Sequence, residues 1–241
     1  MLHWRLAYHL THPLIGRASR SRLLVQRLFG VRLPPAMTVQ FDPTTLLLKH
    51  AIQAVVRPDD RRALEVGIGQ GALLAVGLAL TTNIRVEGVD VLPARVISSR
   101  KVAGYNGVDA DFFTSDLFER VPRDRRYDLI FFNPPYVPTD VGRQLSLTRH
   151  MRVESHTVWD GGADGMDVIR PFANEAAEFL SQRGRVLFGF QPVFVGEALV
   201  ERFLAQTSLS LQQRYTKWYI PSVVWITAGL QKGERRPMTG N

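Results

Sequence analysis

Residues 129–140 read LIFFNPPYVPTD, an apolar run closed by Asn133, Pro134, Pro135 and Tyr136. The run has the length and character of a buried strand, which puts Asn133 where the sheet meets solvent or a cleft. Two prolines stiffen the backbone and remove N–H donors, so the Pro134 carbonyl stays free to accept. The Asn133 side-chain oxygen and that carbonyl then form a paired acceptor for an NH2 group. Tyr136 offers an aromatic face on which a planar group can stack. Amide and aromatic amine nitrogens are poor nucleophiles, but gripping both hydrogens turns the lone pair toward an electrophile. Geometry and electrostatics can then supply the rate without a strong base. The plainer reading, a proline-rich turn after a strand, gives the amide no task.

A second group lies upstream. RALEVGIGQGALL passes from a strand-like run to a helix-like run through Gly67, Gly69 and Gly71, where the backbone can turn tightly and bring amide N–H groups to a ligand at a helix N-terminus. GIGQGA alone also satisfies the dinucleotide fingerprint, so the loop does not exclude NAD. Asp90 closes the next strand nineteen residues after Gly71, placed to accept from ribose hydroxyls or to cap the following helix. Asp116, in DFFTSDLFE, ends the third strand; it can receive an adenine amino group, with Leu117 or Phe118 against the ring, or cap a helix. Loop and acids together point to a nucleoside-containing cofactor. A sulfonium methyl is an electrophile that tolerates neighbouring aromatic faces.

The elements that must position these residues alternate. Helix patterns over 44–56, 71–81, 93–105, 167–182 and 194–207 interleave with strand patterns over 62–68, 84–90, 109–116, 127–133 and 184–190. Continuous apolar strands between helices predict a mostly parallel sheet covered on both faces. Residues 211–220 and 223–231 read as two strands around Pro221 and Ser222, too close for a helix between them, so they pair antiparallel.

The 241 residues are 45% hydrophobic and 22% charged, which suits one globular domain with a short appendage. Without cysteine, and with six histidines lacking a compact ligand spacing, a metal enzyme is not expected. The net charge of +8 is uneven: residues 1–41 hold six arginines (5, 17, 20, 22, 27 and 32) and no acid. That segment can meet nucleic acid, ribosome or anionic membrane, or stay a solvated tail. Within it, 19–30 has helical spacing with Gly30 as a stop, and Pro34-Pro35 bounds a basic arm (1–35) from the main domain (36–241). No uninterrupted apolar stretch is long enough to span a bilayer, and a cytoplasmic protein is expected.

ALEVGIGQGALLAVGLAL, VEGVDVLPARVISSRKVAGYN, SDLFE, YDLIFFNPPYVPT and DGGADGMDVIR together resemble the class I S-adenosylmethionine-dependent methyltransferases. Among these the chain is similar to the HemK-like release-factor glutamine methyltransferases. The resemblance covers about residues 37–230 and implies a Rossmann-like α/β fold with seven strands, the last antiparallel. It implies that Glu65, Gly67, Gly69, Gly71, Asp90, Val91, Asp116, Leu117 and Asn133 hold S-adenosylmethionine, with S-adenosylhomocysteine as product. Asn133, Pro134, Pro135 and Tyr136 would hold the target.

Three departures bear on the substrate. About 35 arginine-rich residues stand where that family has a folded helical recognition domain, FDPTTLLL replaces its upstream arginine and acids, and Ser155 replaces a proline. Residues 139–160 are expected to form a lid lined by Glu154, His156 and Trp159. The acceptor is a protein glutamine-type amide, an exocyclic base amine of RNA or DNA, or a small metabolite or peptide. From another class stands a noncatalytic binding module on the same fold.

Overall fold

Strand β1 (Arg62–Val66) lies inside the sheet, flanked by β2 (Arg85–Asp90) and β4 (Tyr127–Phe132). With β3 (Ala110–Thr114), β5 (Leu180–Phe190), β6 (Leu209–Lys217) and β7 (Ile220–Gly229) it forms one seven-stranded sheet in the order β3-β2-β1-β4-β5-β7-β6. All pairings are parallel except those of β7, which runs antiparallel to both β5 and β6. The computed structural model describes residues 21–151 and 155–230.

The helices are α1 (Arg22–Phe29), α2 (Pro43–Val55), α3 (Leu73–Thr81), α4 (Pro93–Tyr105), α5 (Thr139–Gln144), α6 (Leu147–Met151), α7 (Ile169–Ala176) and α8 (Glu197–Leu204). Single 3-10 turns cover His156–Val158 and Ala177–Phe179. Strand alternation divides the core in two: along β4, Leu129 and Phe131 join the layer with α2, α3 and α4, while Ile130 and Phe132 join the layer with α7 and α8.

Chain order reverses between β1 and β4, and Val66 pairs with Phe132 at their carboxyl ends. The residues that follow, Gly67 and Asn133, therefore emerge side by side at a topological switch point, where open α/β sheets bind ligands.

Two local expectations are corrected. The helix expected over 167–182 ends at Ala176, and Leu180 already belongs to β5, because its backbone pairs with Tyr127 across a register shift. The last hairpin turns at Trp218 and Tyr219, since Lys217 pairs with Ile220; Pro221 and Ser222 lie within β7, ahead of its first β5 partner at Val223, where a missing N–H costs no ladder bond. Around Pro34-Pro35 the packing is continuous: Val25 and Phe29 of α1, then Val31 and Leu33, are buried in the same core layer as α2 and α3. Ser21 caps α1, and Gly30, with φ +75°, ends it as expected. Arg5, Arg17 and Arg20 lie outside the described residues.

Candidate active site

The glycine loop leaves β1 in left-handed conformations, with φ +67° at Gly67 and +57° at Gly69. A Cβ on Gly67 would stand 2.7 Å from the Phe132 ring, whereas around Gly69 no atom lies within 4 Å of that position, so the backbone there is open to a ligand. Ser99 holds the loop from α4, accepting from Gly71 N at 2.9 Å and donating to Gly69 O at 3.1 Å. Asp90 is 3% exposed, and its carboxylate is shared: Oδ2 accepts from Gly69 N, Oδ1 accepts from Leu92 N, both at 3.0 Å, and Arg95 Nη1 lies 3.5 Å away. The acid thus ties the loop to the start of α4.

Glu65, on β1, accepts from Ala75 N in the first turn of α3 at 2.8 Å. Helix α3 begins at Ala72 without a side-chain cap, so this buried carboxyl supplies one from across the core. Burial pushes its pKa up to about 8; the Ala75 N–H opposes the rise and the Asp90 charge adds to it.

Asn133 is fixed from one side only. Its Nδ2 donates to Asp42 Oδ1 and to Thr45 Oγ1, each at 3.0 Å. Its Oδ1 is buried and has no hydrogen-bond partner. Exchanging the amide's two ends would set that oxygen against the Asp42 carboxylate, so the network decides the orientation. Asp42 is itself held as the N-cap of α2, accepting from Thr45 N and Thr45 Oγ1 at 2.7 Å.

Tyr136 departs from expectation. It is 5% exposed rather than an open stacking face, and its hydroxyl bonds Thr44 Oγ1 at 2.8 Å, which bonds Ser222 Oγ of β7 at 2.9 Å. Burial and the nearby Asp42 charge hold the phenol protonated, its pKa well above the usual value. Its ring packs tilted against Phe194, at 6.3 Å. Pro134 is buried and Pro135 half-buried.

The glycine-rich segment after Tyr136 braces it. Val137 N donates to Trp159 O, Gly161 N to Val137 O and Thr139 N to Gly162 O, while Thr139 Oγ1 donates to Asp160 Oδ1 at 2.6 Å. Gly165 lies against the Tyr136 carbonyl, where a Cβ would come within 2.5 Å. Of the expected lid residues, Trp159 is buried on Gly142 with its Nε1 donating to Thr148 Oγ1, His156 is exposed, and Glu154 lies outside the described residues. Val158 reaches the cleft wall.

Beyond β3, Asp116 is exposed, Leu117 is half-buried with φ +41°, and Val91 is 51% exposed next to Asp90. Phe118 does not face a ligand: it stacks on Phe172 and Phe179 in the core. No helix follows Asp116, so it caps none.

A cleft of about 490 Å³ joins the glycine loop to Asn133, lined by Gln40, Asp42, Glu65, Gly67, Gly69 and Asn133 among others, whereas Asp90, Val91, Asp116, Leu117 and Tyr136 are not part of its lining. Its volume falls in the range of small-molecule and cofactor sites. Asp42, Thr44, Thr45 and Ser222 were not recognised in sequence as site residues. The one signal for Asp42 was Asp-Pro-Thr-Thr, a helix start, which names a cap but not what else the carboxylate holds.

Comparison with known proteins agrees with this geometry. The chain is 31% identical over 156 residues to a Methanocaldococcus jannaschii protein assigned as a protein N5-glutamine methyltransferase, covering 65% of this chain and 73% of that one. It is 29% identical over 174 residues to the release factor glutamine methyltransferase of Geobacter sulfurreducens, covering 70% of this chain and 60% of the relative's length. Among solved structures, a ribosomal protein L11 methylase from Lactobacillus delbrueckii subsp. bulgaricus superposes with a TM-score of 0.61 at 16% identity, covering 83% of this chain and 86% of that one, a likeness of fold. The family model described as "Methyltransferase small domain" matches residues 38–158, a span that runs from the segment before Asp42 through the glycine loop, Asp90 and Asn133 to Val158, and the chain belongs to that family.

Proposed function

We propose that this chain methylates the side-chain amide nitrogen of a glutamine in a protein acceptor, using S-adenosylmethionine. The observation that carries the reading is the buried, unpartnered Asn133 Oδ1, on a residue of the cleft wall whose amide orientation Asp42 and Thr45 fix. Buried polar atoms are nearly always paired, and a ligand N–H would complete this one. An orphan acceptor suits a donor-bearing target such as an amide NH2.

The cleft residues fit the cofactor. Gly69 leaves the loop backbone open, Asp90 stands beside it at the end of β2 for the ribose, and Glu65 lines the cleft with its carboxyl; Val91, Asp116 and Leu117, outside that lining, are assigned to the adenine side by the family resemblance alone. S-adenosylmethionine held there would supply a sulfonium methyl as electrophile; transfer to the nitrogen would leave S-adenosylhomocysteine with the S–C electron pair and release one proton from the nitrogen. Asn133 Oδ1 accepts one N–H and the Pro134 carbonyl the other, so the nitrogen lone pair is directed into the cleft. Neither acceptor is a strong base, and the proton leaves to solvent at the mouth. Tyr136 positions the turn through its hydroxyl network instead of stacking on the target.

In this reading residues 36–241 carry the reaction and residues 1–35 add a basic surface to it. Among the described residues no helix is long and apolar enough to cross a membrane, and a cytoplasmic enzyme is proposed. The test is transfer of labelled methyl from S-adenosylmethionine into cell extract separated into protein, nucleic acid and small molecules. Label in protein, mapped by mass spectrometry to a glutamine, supports the reading; label confined to RNA or a metabolite replaces the acceptor.

A further inference from the structure

The β6-β7 hairpin ends in two aromatic side chains that nothing among the described residues covers. Trp218 is 97% exposed and Tyr219 56% exposed, their rings edge to face at 5.5 Å. Single exposed aliphatics are ordinary, but a tryptophan left almost wholly in water forgoes the largest apolar burial a side chain offers. Beside it, Lys217 Nζ lies 5.6 Å from the centroid of the Tyr215 ring.

Cations continue from there across α2 to α1. Helix α2, which carries Lys49 and His50, packs against β6 and β7, the two strands whose hairpin carries Lys217. Lys49 and Arg27 in turn line one cavity of about 150 Å³ between α1, α2 and α3. Among the described residues no carboxylate lies within ion-pair distance of Arg27, Lys49 or Lys217. Residues 21–57 contain Asp42 as their only acid.

The strip starts at the acceptor end of the cleft. Ser222, three residues past Tyr219, bonds Thr44, which bonds Tyr136. Lys49 stands five residues after Thr44 on α2, roughly 8 Å along the helix axis.

We infer that Arg27, Lys49 and Lys217, with Trp218 and Tyr219 at one end, form a docking surface for a single-stranded nucleic acid lying beside the acceptor. The cations track a phosphate backbone and the free ring faces stack bases, the pairing by which strands are bound without sequence preference. A protein partner fits less well, because hot-spot aromatics sit within a rim of contacts that excludes water, whereas this pair stands alone at a hairpin tip. The inference goes beyond the proposed reaction, since the bound strand need not be the methylated molecule.

The test is fluorescence anisotropy of the full chain with labelled uridine and thymidine strands of roughly a dozen nucleotides, titrated across salt without any methyl donor. Both strands should bind, and Trp218→Ala with Tyr219→Ala should weaken binding by about tenfold or more. Trp218→Phe, which keeps a ring, should retain most of it. Lys49→Ala with Lys217→Ala should reduce the slope of log K against log salt by about 1.4, near 0.7 for each lost cation. Tighter uridine binding would assign the surface to RNA. Absence of binding to either strand at low salt, equal affinity of the aromatic double variant, or preference for an acidic peptide overturns the inference. Because no transfer is measured, these results leave the glutamine reading standing or falling on its own test.

Discussion

The two walls of the cleft are built on opposite terms. On the β1-β2 wall the buried polar side chains that shape the loop are paired: Asp90 with Gly69, Leu92 and Arg95, Glu65 with Ala75, Ser99 with Gly69 and Gly71. On the β4 wall, Asn133 is paired on its nitrogen and bare on its oxygen. A wall complete in itself holds its shape whether or not a ligand is present. A wall with an orphan acceptor carries a cost that a correctly placed donor removes, and in the proposed reading that donor is the target's N–H.

Breaking the open wall should have the largest effect. Asn133→Ala removes the acceptor while leaving the loop untouched, so transfer should fall by about 10²–10³ or more, with cofactor affinity changed by less than about twofold. Isothermal titration with S-adenosylmethionine beside steady-state kinetics separates the two; retained turnover would remove Asn133 from the reaction.

Breaking the complete wall should act on binding. Asp90→Ala deletes a charge-assisted partner and frees the Gly69 amide, and cofactor affinity should weaken by roughly 1.5–3 kcal/mol. An unchanged dissociation constant would reduce Asp90 to a local brace between the loop and α4.

Asp42 tests the support behind the open wall. Asp42→Ala lets the Asn133 amide rotate and should lower kcat by about tenfold with less effect on KM, while loss of the α2 cap should cost about 1 kcal/mol of stability. Asp42→Asn keeps an acceptor and should restore part of kcat. Equal kcat in both variants at matched stability would make Asp42 a cap and nothing more.

The smallest effect concerns Glu65. Its folded pKa near 8 is raised, so the native state holds this proton more tightly than the unfolded chain. For a raised acid, the stability it contributes is full below the ordinary carboxyl value and declines as pH rises toward 8. Relative to Glu65→Gln, the wild-type Tm should therefore fall progressively between about pH 5 and 8. A binding ligand of positive charge near this carboxyl should also release a proton below pH 8, read as a dependence of titration heat on buffer ionisation enthalpy. Parallel Tm curves would mean that the carboxyl is already ionised in the fold.

Legibility followed the range of the interaction. Both walls' chain-local parts were readable: Gly67, Gly69 and Gly71 between a strand and a helix, and Asn133 closing an apolar run before two prolines. The helix over 93–105 has the expected bounds because Pro93 starts it and its backbone bonds stay within it. The helix expected over 167–182 failed at its C-terminal end, where Leu180 is claimed by Tyr127, more than fifty residues away in sequence. Tyr136 was misread for the same reason: its ring and hydroxyl are covered by Phe194, Thr44 and, through Thr44, Ser222, none of them near it in the chain.

The order of elements, the side-by-side emergence of a glycine loop and an Asn-Pro-Pro-Tyr turn from neighbouring strands, and the membership of a methyltransferase family were determined by the sequence itself, because strand and helix periodicity, turn residues and motif order are local properties of the chain. Which way the Asn133 amide points, that Asp42 does the pointing, and that Tyr136 anchors rather than stacks were decided only by tertiary structure. Those are properties of side chains brought together from α2, β4 and β7, and hydrogen bonds between them exist only once the sheet has set those elements within about 3 Å of one another.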